Sequence, residues 1–466
     1  MELKKKRVLV VGLGKSGLAA ALFLKERGAQ VTVSDTRSAA ALAKDIPALL
    51  EAGIMVESGG HGLLTFRRQD LIVVSPGVPL ETPEVKQAIA FGQTVIGELE
   101  LASRFLKGGI VAITGSNGKT TTTTLIGQIF RDAGAPTLVG GNIGLPVIEL
   151  VDESTEDTVN VLEVSSFQLE TVVEFHPRIA IILNITPDHL DRHGSFEKYV
   201  AAKERIFLNQ TSNDALVLNA DDPVTQVCAS RARANIYWFS ATKIVRQGAF
   251  VRDGIIFWIE REGGKAEPIL PLSEIPLKGS HNVENVLAAV CAGRLSTISA
   301  ESIRKTVSEF HAVEHRLELV AKISGVEYYN DSKATNVDAT LKAVASFPSG
   351  IHLILGGKDK DSDYTLLAPL LKERVKAIYT IGAAAEKIER HLAGVIPIVS
   401  AVTLDVAVAK ASVAANEGDI VLLAPACSSF DQFDNYEHRG RVFRELVTGL
   451  KHVLPDGPAA RGEVTS

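Results

Sequence analysis

Ala112-Ile113-Thr114-Gly115-Ser116-Asn117-Gly118-Lys119-Thr120-Thr121 runs from an apolar strand through a tight Gly-Asn-Gly turn into a Lys-Thr pair that opens a helix. A turn of this kind holds a nucleoside triphosphate. Backbone N–H groups of the loop and of the helix N-terminus point at phosphate, and Lys119 adds a compact positive charge. Thr120 brings a hydroxyl of the sort that ligates phosphate-bound Mg2+, and Gly115, Ser116, Asn117, Gly118 and Thr121 complete the candidate cradle. The full P-loop pattern has glycine at position 113, where this chain has Ile113, so the loop is a truncated variant. ATP is the expected energy source.

Around that loop lie 466 residues, 46% hydrophobic and 22% charged, the composition of a folded protein of two to four domains. A net charge of -6 with no long basic run argues against nucleic acid as a partner. Lys4-Lys5-Lys6-Arg7 reads as the solvated lead into a strand. Cys228, Cys291 and Cys427 are far apart and are expected as small core residues in a reducing compartment, not as a disulfide or metal set. No apolar run reaches membrane-spanning length. The apolar stretch after the basic N-terminus is short, glycine-interrupted and without a small-residue cleavage site. These features predict a cytoplasmic protein with no membrane insertion, and a monomer is expected.

Before the loop, Arg7–Val11, Gln30–Ser34 and Leu71–Val74 read as strands and Gly17–Arg27 as a helix, an alternation that predicts a parallel α/β region up to about Glu98. From Leu99 onward, strands are expected at Val159–Glu163, Ile179–Asn184 and Ala215–Asn219. The β-branched and aromatic stretch Ile236–Glu260 predicts an antiparallel annex, and helices at Val283–Leu295 and Ser302–Phe310 close the region. From about Val313, strands at Val326–Tyr329, Ile351–Leu355, Ala377–Ile381 and Ile420–Leu423 predict a third α/β unit of dinucleotide-fold type. The tail from Pro455 is expected to fray.

Gly12-Leu13-Gly14-Lys15-Ser16-Gly17 follows a strand and opens a helix, and Asp35 ends the next strand 18 residues after Gly17. Alone, that is the dinucleotide fingerprint, which makes a nicotinamide-dependent oxidoreductase the main alternative. The turn demands only a diphosphate, however, and a UDP-sugar has one. Asp35, Thr36 and Arg37 offer groups that can hold a uridine or its phosphates, with Ser16 in the glycine turn itself and Ser75 and Gly77 at the end of the strand Leu71–Val74 as further candidates. Glu163, at the carboxyl end of a predicted strand, can take Mg2+ that bridges nucleotide phosphates; a glutamate capping a polar turn is the competing reading. His189 stands beside carboxylates in Asn184–Asp191, suited to a second metal or to general base work, though a loop histidine is commonly just solvated. Lys203 by itself reads as a surface or snorkelling lysine on a helix. Asn282 either caps the alanine-rich helix after it or faces a nucleotide. Farther on, Arg316 and Lys333 are cations of the kind that neutralise a transferring phosphoryl group. Gly356–Lys360 and Ala426–Phe433 end two more strands on the same sheet edge.

Taken together and in order, Gly115–Thr121, Gly140-Gly141-Asn142-Ile143-Gly144, Glu163-Val164-Ser165-Ser166-Phe167-Gln168-Leu169-Glu170, His281-Asn282, His315-Arg316 and Asn330-Asp331-Ser332-Lys333-Ala334-Thr335-Asn336 resemble the Mur ligases of peptidoglycan precursor synthesis. The resemblance spans nearly the whole chain. It implies an α/β protein of three domains: an N-terminal Rossmann-like UDP-binding domain (1–98), a central P-loop ATPase with a small antiparallel annex (99–312), and a C-terminal dinucleotide-fold-like, amino-acid-binding domain (313–466). It implies ATP-dependent amide formation through an acyl phosphate, with UDP-N-acetylmuramoyl-L-alanine and D-glutamate as small-molecule partners, in cell-wall synthesis and hence cell shape and division. Carried over, Lys119 and Thr120 hold ATP phosphates and a first Mg2+ completed by Glu163. His189 helps bind a second Mg2+, and Lys203 matches the family lysine that is carbamylated and so becomes an anionic metal ligand. Asn282, Arg316, Asp331 and Lys333 match positions around the nucleotide. Thr36 and Arg37 fall where uracil and its diphosphate are held, and Asn142 at the muramoyl-alanine portion. Thr335, Ser429 and Tyr436 fall at D-glutamate, with Lys360, or else Lys358, as the glutamate-binding lysine. Diaminopimelate-adding siblings carry an Asp-Asn-Pro-Arg segment, and this chain has none.

A folylpolyglutamate-type ligase shares the phosphate loop but gives Gly12–Gly17 no place. A nicotinamide enzyme leaves Gly115–Thr121 unexplained, and a P-loop regulatory or motor protein has no basic track or partner helix to support it.

Overall fold

The computed structural model describes residues 1–310 and 315–450; the expected 312/313 boundary and the tail from Pro455 lie outside the described residues. Chain contacts divide it into two compact units, one of residues 1–187, 192–274 and 284–309, the other of residues 188–191, 275–283 and the chain from 310 onward.

The first unit holds two sheets. Strands β1 (Arg7–Val11), β2 (Gln30–Asp35), β3 (Met55–Ser58), β4 (Leu71–Val74) and β5 (Val95–Gly97) are all parallel, in the order β3-β2-β1-β4-β5. Val8–Val11 and Leu71–Val74 are buried along their whole length, as continuous apolar runs are when both sheet faces are covered. From β1 the chain adds β2 and β3 on one side and then β4 and β5 on the other. The order of strand addition thus switches between the parallel neighbours β1 and β4, and the loops after these two strands flank a crevice of the kind that binds ligands in open α/β sheets.

The second sheet has nine strands: β6 (Gly109–Thr114), β7 (Thr137–Gly141), β8 (Val159–Glu163), β9 (Ile179–Ile182), β10 (Ala215–Asn219), β11 (Asn235–Ser240), β12 (Gly248–Arg252), β13 (Ile255–Ile259) and β14 (Glu267–Pro271). Their order is β14-β13-β12-β11-β10-β9-β6-β8-β7. The antiparallel part is present, as β12–β14 continuing the same sheet; β11 pairs parallel to β10, Ala215 opposite Asn235. The phosphate loop leaves β6 between β8 and β9, and the helix Lys119–Asp132 follows it.

In the second unit, β15 (Glu318–Ile323), β16 (Val326–Asn330), β17 (Ile351–Gly356), β18 (Val375–Ile381), β19 (Ile398–Val402) and β20 (Ile420–Leu423) order as β15-β16-β20-β17-β18-β19, with only β15 antiparallel. Leu353 and Leu355 pack into one core and Ile354 and Tyr379 into another, so this sheet too is covered on both faces. Segments 331–336, 357–363 and 424–433 all leave the same sheet edge. The three cysteines are free and buried, as expected.

Candidate active site

At the switch point of the first sheet, Gly12–Ser16, Asp35–Arg37 and Ser75–Val78 line a cavity of about 580 Å3 together with Gly141, Asn142, Gly144, Pro146 and Gln168. The turn is tight because it must be: a Cβ on Gly17 would stand 2.0 Å from the Gly12 carbonyl and 2.7 Å from Ser75 Oγ. Ser75 Oγ donates to that same carbonyl at 2.6 Å. Asp35 is occupied within the protein. It accepts from the Leu13 N–H at 2.7 Å and from the Arg37 main-chain N–H, Nε and Nη2 at 2.8–3.0 Å. Burial alone would raise this carboxyl, but the Arg37 side chain and the two amides hold it down at about 2. Arg37 Nη2 also donates to the Leu13 carbonyl at 2.7 Å, so Asp35 positions a guanidinium at the cavity wall.

In the phosphate loop, Gly118 is left-handed (φ +86°) and caps the helix Lys119–Asp132; a Cβ there would meet Asn285 Oδ1 at 2.2 Å. Asn184, leaving β9, clamps the loop from the side. Its Oδ1 accepts from the Asn117 N–H at 2.9 Å and its Nδ2 donates to the Asn117 carbonyl at 3.1 Å. Ser116 Oγ donates to the Thr186 carbonyl at 2.8 Å and sits 3.0 Å from Tyr199 Oη. Lys119 Nζ donates to the Gly115 and Ser116 carbonyls at 2.7 and 2.9 Å, which places its charge over the cradle. Thr121 is buried beside Thr120 in the first helical turn.

Glu163 ends β8, directly opposite Ile113 of β6, and is wholly buried. Its Oε1 accepts from Asn142 Nδ2 at 2.7 Å. Its Oε2 and the Thr120 Oγ1 are buried with no hydrogen-bond partner. Buried polar atoms are normally satisfied, and two unsatisfied oxygens flanking a phosphate loop are a donor set waiting for a cation. Among the described residues no three His, Cys, Asp or Glu side chains converge into an all-protein cage. One hydroxyl and one carboxylate, completed by phosphate oxygens and water, is how Mg2+ is held at such sites, so these residues fit it.

Lys203 is not a surface lysine. It is 1% exposed on the helix Phe196–Glu204, and its Nζ donates to the Gly115 carbonyl at 2.8 Å, beneath the loop.

In the second unit, His189 has a left-handed backbone (φ 54°) and its N–H donates to Asp188 Oδ1 at 2.9 Å. Asp188 also accepts from Asn336 Nδ2 at 3.0 Å and Lys360 Nζ at 3.2 Å. Lys358 instead engages Ser428 through its main chain, and its side chain is exposed. Asn282 lies inside the helix Ser280–Leu295 and does not cap it; its Nδ2 donates to the Lys278 carbonyl at 2.7 Å. Burial pushes Asp331 up to about 7 against the pull of Arg316, and burial with the Lys342 and Arg316 charges pushes His281 down to about 4. Thus Arg316, Asp331 and His281 share one environment. Lys333 Nζ lies 3.6 Å from the Tyr436 ring centroid. Thr335 and the buried Ser429 stand on the neighbouring loops 331–336 and 424–433.

Arg439 carries no signal in the sequence. Fully buried, it donates to Ser332 Oγ at 3.0 Å, the Ser332 carbonyl at 2.8 Å and the Cys427 carbonyl at 3.1 Å, pinning two of these loops together. Asn184 and Asp188 likewise escape sequence reasoning, although both lie in the quoted Asn184–Asp191 segment. Their role needs the spatial neighbour, which no spacing reveals.

Residues 6–97 match the N-terminal domain of MurD-like Mur ligases, residues 113–293 the Mur ligase middle domain, and residues 315–427 the Mur ligase glutamate ligase domain. The chain is 69% identical over 447 residues to UDP-N-acetylmuramoylalanine--D-glutamate ligase of Acidobacterium capsulatum, covering 96% of this chain and 97% of that one. It is 59% identical to the protein of the same name from Koribacter versatilis, covering 96% and 98%. Among solved structures, the fold is similar to UDP-N-acetylmuramate-alanine ligase MurC from Thermotoga maritima (TM-score 0.60, 19% identity, 96% of this chain and 100% of that one). It is also similar to a pseudomurein peptide ligase type C from Methanothermus fervidus (TM-score 0.58, 22% identity, 96% and 100%). The nicotinamide and folylpolyglutamate alternatives find no support in these relatives. The chain belongs to the Mur ligase family.

Proposed function

We propose that this protein is an ATP-dependent ligase that joins D-glutamate to UDP-N-acetylmuramoyl-L-alanine through an acyl phosphate, a cytoplasmic step of peptidoglycan precursor synthesis. The observation that carries the reading is the pair of unsatisfied buried oxygens, Thr120 Oγ1 and Glu163 Oε2, beside the Lys119 phosphate loop. A free carboxylate is inert to amines. The L-alanine carboxylate oxygen takes the γ-phosphoryl group as the bond to ADP breaks and ADP leaves, which turns that oxygen into part of a phosphate leaving group. The D-glutamate amine then attacks the carbonyl carbon, the C–O bond to phosphate breaks, and the amine gives up a proton as the amide forms.

Lys119 and the loop amides neutralise and orient the phosphates. Thr120 and Glu163 would hold one Mg2+, and His189 with a carbamylated Lys203 a second; bound there, the cations supply charge neutralisation between carboxylate and phosphate. Ser16, Thr36, Arg37, Ser75, Gly77 and Asn142 hold the UDP substrate, with Asp35 positioning Arg37. Asn282, Arg316, Asp331 and Lys333 contact the nucleotide, while Thr335, Lys360, Ser429 and Tyr436 hold D-glutamate. In this reading the domains span 1–98, 99–312 and 313–466, and the protein acts as a monomer.

The test is phosphate release from ATP with UDP-N-acetylmuramoyl-L-alanine present, across D-Glu, L-Glu, L-Ala and meso-diaminopimelate. Release with D-Glu alone is expected. Release indifferent to the amino acid would overturn the reading.

A further inference from the structure

In the first unit, four side chains form a continuous polar chain that the roles above do not use. Arg192 Nη2 donates to the Val78 carbonyl and to Glu170 Oε2, both at 3.0 Å, while its Nη1 reaches the Gly77 carbonyl at 3.4 Å. Glu170 Oε1 is 3.2 Å from His193 Nδ1. His193 Nε2 is 3.0 Å from Ser166 Oγ. Burial alone would raise the Glu170 carboxyl, but the bonds from His193 and Arg192 outweigh it and keep the group ionised. A carboxylate only accepts, so His193 carries a proton on Nδ1 and meets the Ser166 hydroxyl with Nε2. The imidazole is 2% exposed, stacked on Phe167 at 5.4 Å and flanked by Tyr199 at 5.2 Å.

The two ends of this chain reach one place. Gly77 and Val78 are on the rim of the 580 Å3 cavity, and Gln168 lines it from the helix Ser166–Leu169. Ser166 opens that helix three residues after Glu163, and a reciprocal Ser165–Gln168 capping box fixes its single turn.

We propose that His193 is a positioning residue: by joining Ser166 to Glu170, and through Arg192 to Gly77 and Val78, it holds the Gln168 part of the cavity lining in place relative to the Gly77–Val78 part and so sets the affinity for the UDP-sugar substrate. The proposal rests on the reading of that cavity as the UDP-substrate site. A purely structural histidine would contribute its ring packing alone, and the two roles separate experimentally. His193→Phe keeps a ring between Phe167 and Tyr199 while removing both hydrogen bonds. His193→Gln keeps a donor and an acceptor near Nε2.

The experiment uses the full chain. Calorimetric Kd for UDP-N-acetylmuramoyl-L-alanine without ATP is measured for parent, His193→Phe, His193→Gln and Ser166→Ala, alongside KM for each of the three substrates. The expected result is a Kd and KM for the UDP substrate raised about tenfold in His193→Phe and Ser166→Ala, the scale of one buried hydrogen bond. His193→Gln recovers part of the loss, and KM for ATP and kcat stay within about twofold of parent. An unchanged Kd in His193→Phe, or an equal rise in all three KM values, overturns the relay. Should His193→Phe fail to fold, Ser166→Ala decides by the same criteria. Absence of binding by the parent itself would overturn the assignment of the cavity, and the proposal with it, whereas parent binding with unaffected variants overturns the relay alone.

Discussion

Lys203 Nζ and the Gly115 carbonyl, 88 residues apart in the chain, are joined by a 2.8 Å hydrogen bond beneath the phosphate loop. A carbamate at this nitrogen would keep one N–H able to donate to the same carbonyl and would gain two oxygens that share one negative charge. An ammonium can only donate and cannot ligate a cation. Lys203→Ala is therefore expected to lower the phosphate-release rate by about 100-fold or more, with partial recovery on adding a small carboxylic acid such as formate. Lys203→Arg, which keeps the positive charge, should be as inactive as the alanine variant. Full activity in either would remove the carbamate role.

Thr120 and Glu163 should separate function from stability. Glu163→Gln keeps the acceptor that Asn142 Nδ2 uses and replaces the unpartnered Oε2 with an amide nitrogen of the same shape. Its Tm is expected to stay close to the parent's, because the Asn142 bond and the packing volume are kept. Its kcat should fall by about 100-fold, and the Mg2+ concentration for half-maximal rate should rise. Thr120→Val should show the same direction in the Mg2+ titration. A normal Mg2+ dependence in both variants would exclude these oxygens as cation ligands.

How much of this is legible in the residues alone depends on whether the signal is local. β1, β4, β8, β10 and β20 are short apolar runs bounded by glycine or polar turns, and their limits can be read off the chain. β3 (Met-Val-Glu-Ser) and β19 (Ile-Val-Ser-Ala-Val) are partly exposed edge strands with mixed composition, so hydrophobic patterning gives them no contrast. The phosphate loop is readable because backbone geometry demands glycine and Lys-Thr at fixed spacing. Lys203 is not, since its burial is created by β6 and its loop, far away in sequence. The fingerprint spacing points Asp35 at a ribose, and only the folded turn reveals that its oxygens are taken up by Leu13 and Arg37.

Gly17→Ala tests the cavity from its floor. The new methyl would overlap the Gly12 carbonyl at 2.0 Å, a main-chain atom that cannot step aside without moving the turn that Ser75 also grips. The expected outcome is a loss of stability of about 2 kcal/mol, typical of overpacking, together with a Kd for the UDP substrate raised about tenfold or more. Binding of an ATP analogue should be preserved, because the phosphate loop belongs to a different sheet. Parent-like UDP-substrate affinity in a folded Gly17→Ala variant would mean that the turn is packing alone.

Glu98 predicts a pH dependence of stability whose sign is opposite to that of a salt-bridged carboxylate. The side chain is 1% exposed, its Oε1 accepts from the Ile148 N–H at 2.7 Å, and its Oε2 has no partner. Burial pushes its carboxyl up to about 7. Between the unfolded value near 4.5 and that folded value the native state binds the extra proton, so stability falls as pH rises through this window and levels off above it. The full loss is on the order of 3 to 4 kcal/mol, since each pH unit across the window from 4.5 to about 7 is worth about 1.36 kcal/mol. Glu98→Gln keeps the acceptor for Ile148 and cannot ionise. Its Tm should match the parent near pH 5 and exceed it by several degrees at pH 8, as measured by scanning calorimetry across that range. A constant difference at every pH would mean that Glu98 does not change protonation in the window, and the unpaired oxygen would then need a different explanation.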